Sequence, residues 1–202
     1  AQVTIRAERY RLQSWPTLSK NDVAYMESGI QFYIELLRFQ GLMLHASAVA
    51  YEGRAYLFSG PCGMGKSTHS GLWRQTFGDA AQVFNDDKPA LRLLDGCWYA
   101  YGTPWCGKDG INQNKKVPLG GICFLEQAGE NHIRRLDATQ AVQRLLPQTL
   151  YRLWPGQMDL LLDHLDKLVR QVPIFLLENC PEEAAALLSR DTMTAVAEEE
   201  RL

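Results

Sequence analysis

The sequence predicts an α/β fold with a mixed β-sheet. Residues 42–50 and 54–59 are two apolar segments typical of strands, and Glu52-Gly53 between them suits a tight hairpin turn. The second strand runs into a glycine-rich segment that is followed by a predicted helix from Lys66 to about Thr76. Because hairpins occur among segments that alternate between strand and helix, the sheet should be mixed rather than purely parallel.

The remaining elements follow from the same patterns. We predict a strand at 3–10 and a helix at 22–39 that begins at Asn21 or Asp22 and ends before Gly41. Further along the chain we predict strands at about 82–85, 89–94, 97–101, 117–126 and 172–177, a loop at 102–116, and helices at 137–145, near 157–170 and after Pro181-Glu182-Glu183. We expect a single domain over 1–202, with the strand and helix of 1–40 packed on its core.

Composition excludes several classes of function. The chain has 202 residues, 46% of them hydrophobic, and a net charge of −2, so that one core is expected and nucleic acid is not an expected partner. No apolar run approaches the roughly 18–20 residues of a membrane span. The five cysteines include no Cys-x-x-Cys pair, which argues against a disulfide framework or zinc site and favours a cytoplasmic protein. The chain opens on Ala1 rather than Met, so its natural start can lie upstream.

The glycine-rich segment matches the complete P-loop pattern. It reads Gly60-Pro61-Cys62-Gly63-Met64-Gly65-Lys66-Ser67, with a predicted strand before it and a predicted helix after it. Glycines let backbone N–H groups converge on phosphate oxygens, and the helix directs its positive end at the same anion. Lys66 should contact the β- and γ-phosphates and Ser67 should ligate magnesium, with Thr68 completing the phosphate-binding set.

An acidic pair and a histidine are further candidate site residues. Asp86-Asp87 follows the short apolar stretch Val83-Phe84, where a magnesium-holding carboxylate is expected downstream of a P-loop. One Asp would hold the metal and the other would accept a proton from an attacking hydroxyl. His45 falls inside an apolar strand, where a hydrogen-bonded core histidine is the simpler interpretation. We expect His69, His132 and His164 on the surface.

These residues together resemble the kinase domain of HPr kinase/phosphorylase, whose core is shared with phosphoenolpyruvate carboxykinase. The resemblance covers roughly residues 42–126 and lies in the ordered set of a strand histidine, a hairpin, a P-loop, a helix and an Asp-Asp pair. It implies a mixed-sheet core like that of the HPr kinase C-terminal domain, and transfer of a phosphoryl group from ATP to a serine hydroxyl. It also implies that Asp86 helps to hold Mg²⁺, that Asp87 acts as the base, and that His45 organises the site.

The chain departs from that family at one later motif. The glycine-rich signature with an arginine that follows in that family is replaced here by residues 102–108, GTPWCGK, and by the basic pair Lys115-Lys116. The resemblance therefore does not extend to HPr as the substrate or to the phosphorylase reaction. In size the chain is more similar to the small HPr-kinase-like proteins encoded with peptide-modifying enzymes.

The sequence leaves three functions open. The first is an ATP- and magnesium-dependent kinase that acts on a serine or other hydroxyl of a peptide or protein. The second is a non-catalytic nucleotide-binding protein that recognises or presents a peptide, and the third is a carboxykinase-like enzyme. The acceptor, the choice between ATP and GTP, and the oligomeric state are not determined, and an oligomer is compatible with the sequence.

The loop at 102–116 has two interpretations. It could close over the phosphates or the acceptor, with Lys108 supplying positive charge to the transferring group and Lys115 assisting. It could instead be a surface loop with Trp105 packed beneath it. With the strand at 117–126, it could offer an exposed edge to an extended peptide.

Overall fold

The computed structural model describes residues 17–149 and 153–199 of the chain, so the strand predicted at 3–10 lies outside the described residues. The helices are α1 Lys20–Leu36, α2 Lys66–Phe77, α3 Ala138–Leu145, α4 Pro155–Gln171 and α5 Glu183–Glu199. The strands are β1 Gly41–Met43, β2 Ala46–Tyr51, β3 Arg54–Ser59, β4 Ala81–Asp87, β5 Ala90–Leu94, β6 Cys97–Tyr101, β7 Lys116–Gln127, β8 His132–Arg135 and β9 Ile174–Asn179.

The strands form one mixed sheet, which confirms the predicted fold class. Seven strands follow the order β1-β5-β6-β7-β3-β2-β4, and β9 pairs with both β7 and β8. The parallel pairs are β3 with β7 and β7 with β9, whereas the hairpins and edge strands pair antiparallel. β7 is long enough to pair with β6 near its start and with β3 and β9 further along.

Helices cover both faces of the sheet. The side chains of Leu57 and Phe58 alternate between two hydrophobic clusters, as expected for consecutive residues of a strand buried on both sides. The first cluster includes Leu145 of α3 and Leu165 of α4, and the second includes Trp73 of α2. The sheet therefore forms the middle of three layers and fixes the position of every loop at its edge.

The predicted hairpin turns are confirmed. Tyr51 pairs with Arg54, and Glu52 and Gly53 both have positive φ values, 48° and 76°. This conformation is that of a type I′ turn, whose twist matches the right-handed twist of the strands. Asp95 and Gly96 form the second such turn, with φ values of 52° and 82°.

Two predictions near the amino end are wrong in detail. The capping residue of α1 is Ser19, not Asn21 or Asp22; its hydroxyl accepts a hydrogen bond from the Asp22 N–H while the Asp22 carboxylate accepts one from the Ser19 N–H. The strand predicted at 42–50 is interrupted, so that His45 lies between β1 and β2 rather than inside a strand. The interruption arises because β1 pairs with β5 whereas β2 pairs with β3 and β4.

Two further expectations need correction. β7 is paired along both sides and offers no free edge to a peptide, and the short strand β8 was not predicted. His69 and His164 are buried rather than at the surface, where only His132 lies as expected.

Among the described helices, none combines the length and the apolar character needed to cross a bilayer.

Candidate active site

The P-loop connects β3 to α2, as predicted. Gly63 and Gly65 have φ values of 81° and 95°, a left-handed conformation that glycine adopts without strain. Gly65 is the N-cap of α2 and supplies no side-chain cap, so the first N–H groups of the helix are available to an anion.

Lys66 Nζ donates to the carbonyl oxygens of Gly60 at 2.8 Å and Pro61 at 3.0 Å. Burial lowers the pKa of Lys66, although nearby Cys62, Asp87 and Asp86 oppose that shift.

The sheet brings the acidic pair to the P-loop. β2 lies between β3 and β4, and Ala46 pairs with Ser59 on one side and with Asp87 on the other. The end of β4 is therefore held two strands from the start of the loop. Ser67 Oγ donates to the carboxylate of Asp86 and lies 3.0 Å from each of its oxygens. Both predicted metal ligands thus present oxygen atoms at one point.

Asp87 lines the same cavity as Asp86 but contacts different groups. Its Oδ1 lies 3.3 Å from His45 Nε2, and its Oδ2 accepts a hydrogen bond from Lys88 Nζ. Burial raises the pKa of Asp87, but the hydrogen bonds and positive charges of His45 and Lys88 outweigh burial and hold the pKa at about 2. Asp87 also has a φ of 151°, an uncommon conformation for a residue with a side chain.

Gln148 belongs to this site and was not identified from the sequence. Its backbone oxygen accepts a hydrogen bond from the His45 N–H at 2.8 Å, and its side-chain Oε1 lies 3.1 Å from His45 Nδ1. Gln148 thus holds the imidazole ring of His45 at Nδ1, while Nε2 of the same ring faces Asp87. It follows α3, 103 residues after His45, and no local pattern marks it.

The loop between β6 and β7 covers the outer edge of β4. Gln113 N donates to Phe84 O at 2.8 Å, and Asp86 N donates to Ile111 O at 3.2 Å. Gly107 N donates to Asp86 O, and a Cβ atom on Gly107 would lie only 2.8 Å from that oxygen. Glycine is therefore needed where the loop passes the acidic pair.

The loop packs Trp105 beneath it, as one interpretation expects, and places Lys108 beside the P-loop, as the other requires. Trp105 packs on α1: its Nε1 donates to Tyr25 O at 2.9 Å, and its ring lies 5.0 Å from that of Phe32. Lys108 is exposed at the rim of the P-loop site, whereas Lys115 bonds Gln82 Oε1 at 2.8 Å and lines a different cavity. The expectation that Lys115 assists at the site is therefore wrong.

Three cavities adjoin these elements. The charged cavity, of about 440 Å³, is lined by His45, Cys62, Gly63, Gly65, Lys66, Ser67, Thr68, Asp86, Asp87, Gly107 and Lys108. The amide cavity, of about 430 Å³, is lined by Gly63, Met64, Gly65, Thr68, His69, Leu72, Gln127, Ala128, Asn179 and Pro181. The apolar cavity, of about 240 Å³, is lined by Tyr25, Met26, Gly29, Ile30, Tyr33, Met43, Lys88, Trp105 and Cys106. The structure thus brings His45, Lys66, Ser67, Asp86, Asp87 and Lys108 to one cavity.

Comparison with known proteins places the chain in a family. The curated proteins give no match. Among solved structures, the chain is similar to the Hpr(Ser) kinase/phosphatase from Coxiella burnetii, with a TM-score of 0.45, 12% identity, and coverage of 76% of this chain and 97% of that one. The family model described as "SynChlorMet cassette protein ScmC" matches residues 18–181, which is well over half of the sequence, and the chain therefore belongs to that family.

Proposed function

We propose that this protein is a kinase that uses ATP and Mg²⁺ to phosphorylate a hydroxyl group, most simply a serine, of a peptide or protein. The observation that carries the proposal is the convergence on one cavity of a P-loop, the Ser67–Asp86 pair and the Asp87–His45 pair. Phosphoryl transfer needs mainly positioning and charge stabilisation, and these groups are suited to both tasks.

The P-loop side of the charged cavity would hold the phosphates. The N–H groups at the start of α2 and the ammonium of Lys66 supply donors for the β- and γ-phosphates. Lys66 would exchange its contacts with Gly60 and Pro61 for phosphate oxygens. Ser67 and Asp86 would hold Mg²⁺, which supplies charge neutralisation between the phosphates. Two oxygen-bearing side chains suit this ion, because Mg²⁺ is commonly completed by water and substrate phosphates.

Asp87 would orient the acceptor hydroxyl and take its proton. A carboxylate with a pKa of about 2 is a weak base, but the transition state of phosphoryl transfer is loose and needs orientation more than early deprotonation. His45, fixed by Gln148, would hold the Asp87 carboxylate in place. Lys108 at the rim would add positive charge to the transferring group.

The apolar cavity supports a peptide or protein as acceptor. Lys88, which bonds Asp87, also lines this cavity, so the apolar space opens beside the proposed base. An apolar side chain next to the reacting serine would fit among Met26, Ile30 and Trp105. This mode of binding replaces the strand edge expected from the sequence. The family description as a cassette protein makes the other products of the cassette the first acceptors to test.

A second candidate is a nucleotide-binding protein that recognises a peptide without phosphorylating it. It is favoured by Lys88, whose ammonium occupies the Asp87 oxygen that a hydroxyl would need. A carboxykinase-like role has less support, since none of the residues lining the charged cavity is an arginine that could bind a carboxylate substrate.

Incubation with γ-labelled ATP, Mg²⁺ and a peptide panel tests the proposal. The panel should include serine peptides from the cassette with an apolar or an acidic residue beside the serine. We expect label on serine, with the apolar series preferred. ATP binding without transfer to any peptide or protein would favour the recognition role, and efficient transfer to a free metabolite alone would contradict a peptide acceptor.

A further inference from the structure

The amide cavity lies at the carboxyl edge of three parallel strands. β3, β7 and β9 run in the same direction and end at Ser59, Gln127 and Asn179. Since the P-loop follows β3, the ends of β7 and β9 lie on the same edge of the sheet as the loop. Ligands of open α/β sheets bind in the crevice outside such carboxyl ends.

The amide cavity adjoins the phosphate site. Gly63, Gly65 and Thr68 line both the amide cavity and the charged cavity, so the two meet across the P-loop. A nucleotide with its phosphates on the loop can therefore place its base in the amide cavity. Its volume of about 430 Å³ lies within the ~300–1,000 Å³ typical of small-molecule sites.

The lining of the amide cavity suits an uncharged planar ring. Met64, Leu72 and Pro181 offer apolar surface to ring faces, while Gln127 and Asn179 offer amide groups to a ring edge. None of the lining residues is Asp, Glu, Lys or Arg. The cavity therefore lacks the charges that would bind an anion or a cation.

His69 carries an unpartnered polar atom in this lining. The residue is only 1% exposed, and its Nε2 bonds Ser189 Oγ at 3.0 Å. Its Nδ1 is buried and has no hydrogen-bond partner among the described residues. Buried polar atoms are nearly always paired, so this atom is an exception within the wall of the cavity.

Asn179 can pair with the edge of a purine ring. The residue is buried and its Nδ2 donates to Cys180 O at 3.2 Å, which leaves the second N–H of the amide and Oδ1 for a ligand. An amide presents a donor beside an acceptor and pairs with the N6 amino group and a ring nitrogen of adenine. It pairs equally with the O6 acceptor and the N1–H donor of guanine, so this contact fits either purine.

We propose that the amide cavity is a base subsite for the purine of a nucleoside triphosphate, in which Asn179 pairs with the ring edge. The inference rests on the proposed function, because it requires the phosphates to lie on the P-loop.

Calorimetry with ATP, GTP and inorganic triphosphate, each with Mg²⁺, tests this proposal. We expect the unaltered protein to bind ATP and GTP about tenfold or more tightly than triphosphate, in line with one bidentate base contact. Asn179→Asp replaces the amide donor with a second acceptor, so it should weaken ATP binding more than GTP binding and leave triphosphate binding unchanged. Asn21→Asp makes the same chemical change on the exposed start of α1 and should alter none of these affinities.

A second variant covers the case in which Asn179→Asp does not fold. Leu72→Trp narrows the amide cavity from α2 and should weaken ATP and GTP equally while triphosphate still binds. If triphosphate binds as tightly as ATP and neither variant changes the nucleotide affinities, the base subsite is wrong and the phosphate site stands. If none of the three ligands binds the unaltered protein, the proposed function and the base subsite are both overturned.

Discussion

The two cavities that share the P-loop differ in charge. The charged cavity contains two lysines, two aspartates and a histidine that faces one of them, whereas the amide cavity has no formally charged side chain. Charged side chains suit a site that holds phosphates, a metal ion and a reacting hydroxyl. Uncharged amides suit a site that recognises a heterocycle. In the proposed function this difference would separate phosphoryl transfer from recognition of the base. It can be tested because variants in each cavity should affect different measurements.

The largest effect should come from Asp87→Asn in the charged cavity. The amide keeps the shape of the carboxylate but accepts a proton poorly, so phosphoryl transfer should fall by about 10²–10⁴-fold while ATP affinity stays similar. Rates with γ-labelled ATP and calorimetry on the same preparation measure the two quantities. Asp79→Asn, the same change at an exposed site after α2, is the matched control. Transfer at the unaltered rate would show that Asp87 is not the base.

Lys66→Ala should have the next largest effect, this time on binding. Hydrogen bonds to charged groups contribute ~1.5–3 kcal/mol, which corresponds to about 10- to 100-fold in affinity for both ATP and inorganic triphosphate. Equal losses for the two ligands would place the effect at the phosphates. A loss confined to ATP would contradict the division between the cavities, because the base would then depend on the charged side.

The sequence predicts the features of this molecule that are encoded by neighbouring residues, and it does not predict those that depend on residues far apart in the chain. The P-loop, both hairpin turns and the acidic pair are local patterns, and each lies where the pattern indicates. Gln148 and Asn179 are ordinary polar residues far from the P-loop in sequence. Strand order brings Asn179 to the site, and contacts with His45 hold Gln148 there. The burial of His69 depends likewise on α5, which supplies its partner Ser189. The interruption at His45 reflects pairing with different strands, which no short segment encodes.

Lys108→Ala should have a smaller effect than either variant above. The side chain is exposed, so we expect transfer to fall by about tenfold, less than the 10²–10³-fold that follows loss of a preorganised donor. Lys115→Ala removes the same charge from the far end of the same loop, where it contacts Gln82, and should leave transfer unchanged. Equal losses in the two variants would mean that the loop contributes only general positive charge.

The smallest effect concerns the reactivity of Cys62, which can be measured without any acceptor. Cys62 and Cys97 are both exposed free thiols, but only Cys62 lines the charged cavity. A triphosphate on the P-loop would cover Cys62 and leave Cys97, at the start of β6, accessible. We therefore expect Mg²⁺ with ATP or with inorganic triphosphate to slow the alkylation of Cys62 alone, as followed by peptide mass spectrometry. Adenosine, which would occupy only the amide cavity, should protect neither thiol. Protection of Cys62 by adenosine as strong as that by triphosphate would show that the two cavities do not separate base from phosphates.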